Sequence, residues 1–234
     1  MRLAEKAFPR LSIDLIYARP GQTTKAWAEE LITALGYGFE HVSPYQLTIE
    51  TGTAFDRAVR RGDWAPPDGD IGAALYETTQ AVLSDAGFEA YEVSNHAKGE
   101  AARSRHNIAY WRGWDYVGAG PGAHGRLTLD GVRTATTTER RVGDYILTVQ
   151  QTGAGFAERE ALGERDVALE RLLMGLRTLE GVSFADLAPL GLSSADPRVA
   201  HFADLGLVEV RRAHLYATLE GRKVLDRLTA ELAG

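Results

Sequence analysis

The order of apolar and polar positions in the first half of the chain predicts strands that alternate with helices. Residues 11–18 (LSIDLIYA) are apolar at almost every position, which is typical of a strand buried on both faces. Thr23 or Thr24 then caps a helix whose apolar side chains recur every four residues. The next strand is predicted at residues 41–49, so the order strand–helix–strand implies a parallel pair with a right-handed crossover.

The pattern continues with shorter elements up to a boundary at about residue 155. The elements predicted there are a short helix after residues 51–53, a long helix at about 71–86, a strand at 88–95, a strand near 132–136 and a helix at about 143–151. The stretch QTGAGFAERE (151–160) then favours a division into domains 1–155 and 156–234.

The last part of the chain has a different order of predicted elements. It predicts a helix at 164–179, helical pieces around 184–189 and 196–205, two short alternating strands in LVEVRRAHLYATLEG, and a final helix at about 221–232. Three helices, a two-stranded wing and a helix are typical of a winged-helix-like module. Residues 196–234 contain six Lys or Arg and six Asp or Glu. A neutral module lacks the basic surface that binds DNA, so we expect no nucleic-acid partner.

Composition narrows the class of protein. The 234 residues are 44% hydrophobic and 25% charged, with a net charge of −6, which is typical of a globular domain without a field that attracts nucleic acid. No apolar run is long enough to span a membrane, and Asp14 interrupts the apolar N-terminal stretch, which argues against a signal peptide. The sequence has no cysteine, so it offers no thiolate for catalysis or for an iron–sulfur cluster. We expect a cytoplasmic protein.

Two features of the sequence are candidates for ligand binding. Asp14 is a carboxylate within an apolar strand, which requires either an internal partner or a ligand. The run GAGPGAHG (118–125) is not a dinucleotide-binding motif, and we interpret its glycines as a tight turn. That turn nevertheless holds His124 at a fixed place, where an imidazole could serve a site.

A third candidate is the motif HNIAYW. His106 is either a hydrogen-bonded core residue or a metal ligand, and Tyr110 and Trp111 belong either to a core or to an interface. Asn107 is suited to capping a turn. Imidazole is an axial ligand of haem iron, and aromatic faces suit a planar macrocycle.

Several longer stretches resemble one known family. They are DLIYARPGQT, SPYQLTIETGT, YEVSNHA, RHNIAYWRGWDYVGAGPGAHG and LLMGLRTLEGV. Together they resemble the C-terminal two-thirds of the HemW-type haem chaperones, radical S-adenosylmethionine (SAM) proteins related to oxygen-independent coproporphyrinogen III oxidase. The resemblance implies an α/β fold, namely an incomplete radical-SAM (βα) partial barrel followed by a small α+β winged-helix-like HemN C-terminal domain.

The resemblance also implies roles for particular residues. Asp14 matches the family aspartate that contacts SAM, and Thr48 and His124 match positions near that ligand. The motif HNxxYW (His106, Asn107, Tyr110, Trp111) is associated in this family with haem binding, with His106 as the metal ligand. Haem or a porphyrin, and proteins that accept haem, are the implied partners.

The chain departs from the family pattern in two places. The cysteine motif for the family's 4Fe-4S cluster, the glycine-rich SAM motif and the first barrel strands should precede Leu11, which suggests a fragment that is inactive alone. Arg19 stands where an apolar residue is common. Three functions therefore remain open: part of a haem chaperone in porphyrin metabolism, part of an enzyme acting on a porphyrinogen, and a non-catalytic interaction module. No catalytic residue is assigned, and the oligomeric state is left open.

Overall fold

A computed structural model describes residues 2–234. The chain forms two compact units, one ending at Ser104 and the other beginning at Arg105. We call them the N-terminal unit and the C-terminal unit. Across residues 2–234, every helix is too short or too polar to cross a membrane.

The N-terminal unit alternates helices and strands. Its elements are α1 (Arg2–Ala7), β1 (Ser12–Tyr17), α2 (Thr24–Leu35), β2 (His41–Gln46), α3 (Ala54–Arg61), α4 (Gly69–Asp85), β3 (Glu89–Glu92), β4 (Asn95–Ala97) and a 3-10 turn at Glu100–Ala102. The strands form one sheet in the order β1-β2-β4-β3. The strands β1 and β2 are parallel, as predicted, with Ser12 opposite His41, and β4 is antiparallel to both of its neighbours.

Local sequence explains the helix between β1 and β2. The side chain of Thr23 accepts a hydrogen bond from the backbone N–H of Ala26 and caps α2. The Trp27 ring stacks on the Tyr17 ring, with 5.4 Å between centroids, and its Nε1 donates to Thr79 Oγ1 of α4 at 2.8 Å. Leu31 and Leu75 are fully buried in the same cluster. The core of this unit therefore lies on the face of the sheet that α2 and α4 cover.

The prediction that β1 is buried on both faces is wrong. Its side chains alternate, because Ser12, Asp14 and Ile16 are exposed while Ile13 and Leu15 are half-buried. The helices cover only one face of the strand, and an apolar residue such as Ile16 on the other face makes the sequence look uniformly apolar.

The predicted strand at 88–95 is a hairpin. The chain turns after β3, and both the backbone N–H and the hydroxyl of Ser94 donate to Glu92 Oε1 at 2.7 Å. These hydrogen bonds hold a tight reversal that lets β4 insert between β2 and β3.

The C-terminal unit has two parts in sequence order. Its elements are α5 (Arg105–Trp111), β5 (His124–Leu129), β6 (Val132–Thr138), α6 (Val142–Thr152), β7 (Phe156–Ala161), α7 (Glu164–Gly175), β8 (Val182–Ser183), α8 (Phe184–Leu187), a 3-10 turn at Ala188–Leu190, α9 (Pro197–Asp204), β9 (Val208–Arg211), β10 (His214–Ala217), α10 (Leu219–Lys223) and α11 (Leu225–Ala233). The strands β5, β6 and β7 form an antiparallel sheet. This compact unit begins at Arg105, and β7 pairs with β6 across residue 155. The division into domains 1–155 and 156–234 stays a prediction.

The last part of the chain confirms the winged-helix-like fold. The strands β9 and β10 form the predicted wing, and the two-residue strand β8 adds to it in the order β8-β10-β9. Fully buried leucines from separate elements fill its core: Leu172, Leu176, Leu187, Leu215 and Leu232.

Candidate functional site

The first candidate region is the polar face of the N-terminal sheet. Asp14 lies opposite Ser43 in the parallel register, one pair along from Ser12 and His41. Side chains at alternate positions of neighbouring strands share a face, so these four residues point to the same side of the sheet. Asp14 is exposed, whereas His41 and Ser43 are buried. The expectation that Asp14 is a buried charge is therefore wrong, because its side chain is exposed among the described residues.

A chain of hydrogen bonds surrounds His41. Its Nδ1 is 2.7 Å from Ser12 Oγ, and its Nε2 is 2.7 Å from the Tyr91 hydroxyl. Burial lowers the pKa of His41 below its ordinary value, and Arg10 acts in the same direction. The carboxylates of Asp14 and Glu92 oppose that shift. The imidazole is thus held in place by neighbours on β1 and β3.

A second hydrogen-bonded group continues the polar face. Ser43 Oγ donates to Asn95 Oδ1 at 2.9 Å, and Asn95 Nδ2 donates to Glu92 Oε1. Glu92 is fully buried. This group was not identified from the sequence. The available signal was the register, since polar residues at alternate positions of HVS and SID meet on one face.

Thr48 follows β2 and is exposed. Asp14 and Thr48 thus belong to the N-terminal unit, whereas His106, Asn107, Tyr110, Trp111 and His124 belong to the C-terminal unit. Their predicted role at a common ligand stays a prediction.

The motif HNIAYW forms the helix α5 rather than a strand. The spacing of four residues pairs His106 with Tyr110 on one side of the helix and Asn107 with Trp111 on the next. His106 is exposed, and its ring lies edge-on to the Tyr110 ring with 4.6 Å between centroids. The Tyr110 ring in turn lies 4.2 Å from the Tyr116 ring. His106 is therefore not a core histidine, and its imidazole is accessible beside an aromatic pair.

Trp111 has different surroundings. It lines a groove of about 300 Å³ together with Leu173, Met174 and Leu225. Its ring lies 4.8 Å from the guanidinium of Arg177. Its indole N–H is buried without a hydrogen-bond partner among residues 2–234. Trp111 thus faces away from His106 and anchors α5 to the helices of the winged-helix-like part.

The glycine-rich run after α5 forms a compact turn. Gly120 and Gly122 have positive φ angles of 98° and 71°. A Cβ on Gly118 would lie 2.5 Å from the carbonyl oxygen of His124, so only glycine permits this approach. His124 begins β5, is exposed, and its Nδ1 lies 3.3 Å from Thr137 Oγ1. The interpretation of these glycines as a turn is consistent with this geometry.

No cluster of three or more His, Asp or Glu side chains in the described part of the chain is arranged to hold a metal ion. A single axial imidazole on a metal that a macrocycle already coordinates needs no such cluster. The geometry at His106 is compatible with that kind of site.

Comparison with known proteins gives the chain its relatives. The family described as the HemN C-terminal domain matches residues 162–224. Radical S-adenosyl methionine domain-containing protein 1, mitochondrial, from Bos taurus is 35% identical over 98% of this chain and 54% of its own length. Heme chaperone HemW from Mycobacterium tuberculosis (strain ATCC 25618 / H37Rv) is 37% identical over 98% of this chain and 56% of its own length.

A solved structure shares the fold. The coproporphyrinogen III oxidase HemN from Escherichia coli, described as a radical SAM enzyme, superposes with a TM-score of 0.73 at 20% identity, over 99% of this chain and 57% of that one. The chain thus spans just over half the length of these three relatives.

Proposed function

We propose that the chain belongs to the HemW-like group of radical SAM proteins with a HemN C-terminal domain, and that it is the haem-holding part of a haem chaperone. The observation that carries this proposal is the exposed imidazole of His106 beside the rings of Tyr110 and Tyr116. Relatives named as haem chaperones support the ligand class.

The residues of α5 fit a haem ligand. An imidazole can bind haem iron only where the haem can reach it, and His106 is exposed. Haem iron, when bound, supplies a coordination position for that nitrogen. Tyr110 supports the imidazole by its edge-on contact, and Trp111 packs against α7 and α11. We assign Asn107 to the same haem site because it belongs to the HNxxYW motif. Haem or another porphyrin is therefore the proposed ligand, and haem-accepting proteins are the proposed partners.

The exposed carboxylate on the polar face of the N-terminal sheet is the basis for proposing a second ligand. We propose that Asp14, together with Thr48 and His124, contacts SAM, because Asp14 offers a free carboxylate to hydroxyl donors. The chain has no cysteine, so its own residues do not fit a 4Fe-4S cluster. We accordingly propose that this chain alone does not cleave SAM reductively. Anaerobic reconstitution with iron and sulfide, followed by an assay for 5′-deoxyadenosine, tests this, and product that depends on the cluster would contradict it.

A second candidate function is part of an enzyme that acts on a porphyrinogen. The fold match to the E. coli oxidase HemN favours it. The two functions share the porphyrin ligand and differ in turnover, so release of oxidised porphyrin by the chain supplied with the cluster-binding segment of a relative would favour the enzyme. Binding of neither haem nor SAM would leave an interaction module.

Location and further partners remain proposals. We propose a cytoplasmic protein that does not bind nucleic acid, although several relatives carry names that place them in mitochondria. Weak binding of residues 160–234 to duplex DNA at physiological salt is the expected result, since acidic residues outnumber basic ones there by twelve to nine.

Haem titration tests the main proposal. Haem is added to the wild type, His106→Ala and His124→Ala while the Soret band is followed. We expect His106→Ala to shift the band and weaken binding clearly more than His124→Ala, because only His106 is assigned to the iron. Identical spectra and affinities for all three proteins would remove His106 from the site.

A further inference from the structure

A small charged cavity lies inside the C-terminal unit behind Tyr110. Its volume is about 50 Å³, and α5, α7, β5 and β6 contribute to its walls. The lining residues are Tyr110, Gly113, Tyr116, Arg126, Arg133, Val167, Glu170, Arg171 and Met174. One water occupies about 30 Å³ in the liquid, so the cavity has room for a group larger than one water.

The charges around the cavity are unequal. Three guanidinium groups line it, but only one carboxylate does. Glu170 accepts a hydrogen bond from Arg126 Nε at 2.7 Å and lies 3.8 Å from Arg133 Nε. Arg133 is also held by Asp115 outside the cavity, at 3.1 Å. These contacts engage Arg126 and Arg133.

Arg171 is held less firmly. Its Nη2 lies 3.5 Å from Asp186, and its Nη1 lies 3.5 Å from the carbonyl oxygen of Trp111. Both distances are longer than those of a strong charge-assisted hydrogen bond. Gly113 has a φ of +64°, and a Cβ there would lie 3.0 Å from Arg171 Nη1. Glycine therefore leaves space for a guanidinium that keeps donor capacity for a further acceptor.

The cavity adjoins the proposed haem site through a shared side chain. Tyr110 lines the cavity and also contacts the ring of His106. Tyr116, the other tyrosine of the wall, has a raised pKa because it is partly buried, and its hydroxyl stays neutral. A ligand on His106 would therefore lie close to a cationic recess that shares Tyr110 with it.

We propose that this cavity binds a carboxylate of the porphyrin, with Arg171 as its principal donor. The inference rests on the proposed function and adds the group that fixes the ligand's orientation. Haem carries two propionate side chains, and the planar fork of an arginine suits a carboxylate better than any other side chain does. Arg126 and Arg133, held by Glu170, supply the surrounding positive charge.

The test compares haem with haem dimethyl ester, in which both carboxylates are masked. Each is titrated into the wild type, Arg171→Gln, Arg171→Lys and the control Arg227→Gln. Arg227 lies on α11 of the same unit, is 82% exposed and pairs with Glu231. We expect Arg171→Gln to weaken haem binding about tenfold and ester binding less than twofold, since a charge-assisted hydrogen bond is lost only with the free acid. Arg227→Gln should change neither.

Thermal melting verifies that each variant is folded, and Arg171→Lys keeps the charge if the glutamine variant is unstable. Arg171→Lys should retain part of the preference for haem over the ester. An equal loss of acid and ester in both Arg171 variants, or no loss in either, overturns the cavity as the carboxylate site while haem binding by His106 stands. If the wild type binds neither ligand, this inference and the proposed function both fail.

Discussion

The polar sheet face of the N-terminal unit and the charged cavity of the C-terminal unit differ in how completely their charged side chains are paired. On the sheet, Ser43, Asn95 and Glu92 satisfy one another by hydrogen bonds, and the carboxylate of Asp14 is left exposed. In the cavity, three arginines face one glutamate. The first arrangement serves stability and leaves one carboxylate for a ligand with hydroxyl groups. The second leaves a cationic group for an anion.

The largest expected effect concerns Glu92, which should matter for folding alone. Glu92→Ala removes the acceptor of three hydrogen bonds in a fully buried place, and we expect a loss of about 3 kcal/mol in the free energy of unfolding. Urea denaturation measures it. Glu89→Ala, on the same strand, is the control, because that carboxylate is exposed and should cost less than about 1 kcal/mol. Equal losses would show that the buried group is not structural.

The next effect concerns the turn that leads into the cavity strand β5. Gly118→Ala forces a Cβ to within 2.5 Å of the His124 carbonyl oxygen. Backbone must shift to relieve this contact, and we expect a loss of about 2 kcal/mol. Gly143→Ala, in α6, meets no atom within 4 Å and should stabilise the protein by up to about 1 kcal/mol. Thermal melting compares the two variants. A Gly118→Ala protein as stable as the wild type would contradict the close approach of Gly118 to His124.

The sequence predicts the two regions unequally well. The β1–α2–β2 unit follows from a capping threonine at Thr23 and a long apolar repeat. The helix α5 has only seven residues, too few for a helical period to stand out, and its aromatic residues favour strands as much as helices. The hairpin at Ser94 depends on the side chain of Glu92, a contact that no spacing rule identifies.

The sites show the same limit. The motif HNxxYW proposes His106 as a haem ligand from residues that are close in sequence, and this role stays a prediction. The cavity draws Arg126, Arg133 and Arg171 from β5, β6 and α7, so no sequence pattern brings them together. The predicted position of Asp14 on a strand is confirmed, but its exposure depends on which face of the sheet the helices cover. A motif of neighbouring residues can therefore be found in the sequence, whereas the exposure of a side chain and its contacts with distant residues can be read only from the fold.

A smaller effect on stability is expected when the pH is changed, and it comes from His41. Burial lowers the pKa of His41, so the folded protein takes up a proton less readily than the unfolded chain does. The stability contribution is complete above the ordinary histidine pKa of about 6.5 and is lost as the pH falls below that value. Melting temperatures at pH 5.5 and 7.5 should differ less in His41→Gln than in the wild type. The exposed His201→Gln is the control and should keep the full difference.

The smallest effect on stability is expected at Asp14, an exposed carboxylate of the polar face. An exposed surface side chain contributes little to stability, so Asp14→Asn should change the free energy of unfolding by less than about 0.5 kcal/mol. Because Asp14 raises the pKa of His41, its removal should lower that pKa further, which NMR titration of the imidazole detects. Glu29→Gln, on α2, removes an equally exposed charge and should leave His41 unchanged. A large loss of stability in Asp14→Asn would instead make this carboxylate part of the fold, like Glu92, and would leave the polar face without a group for a ligand.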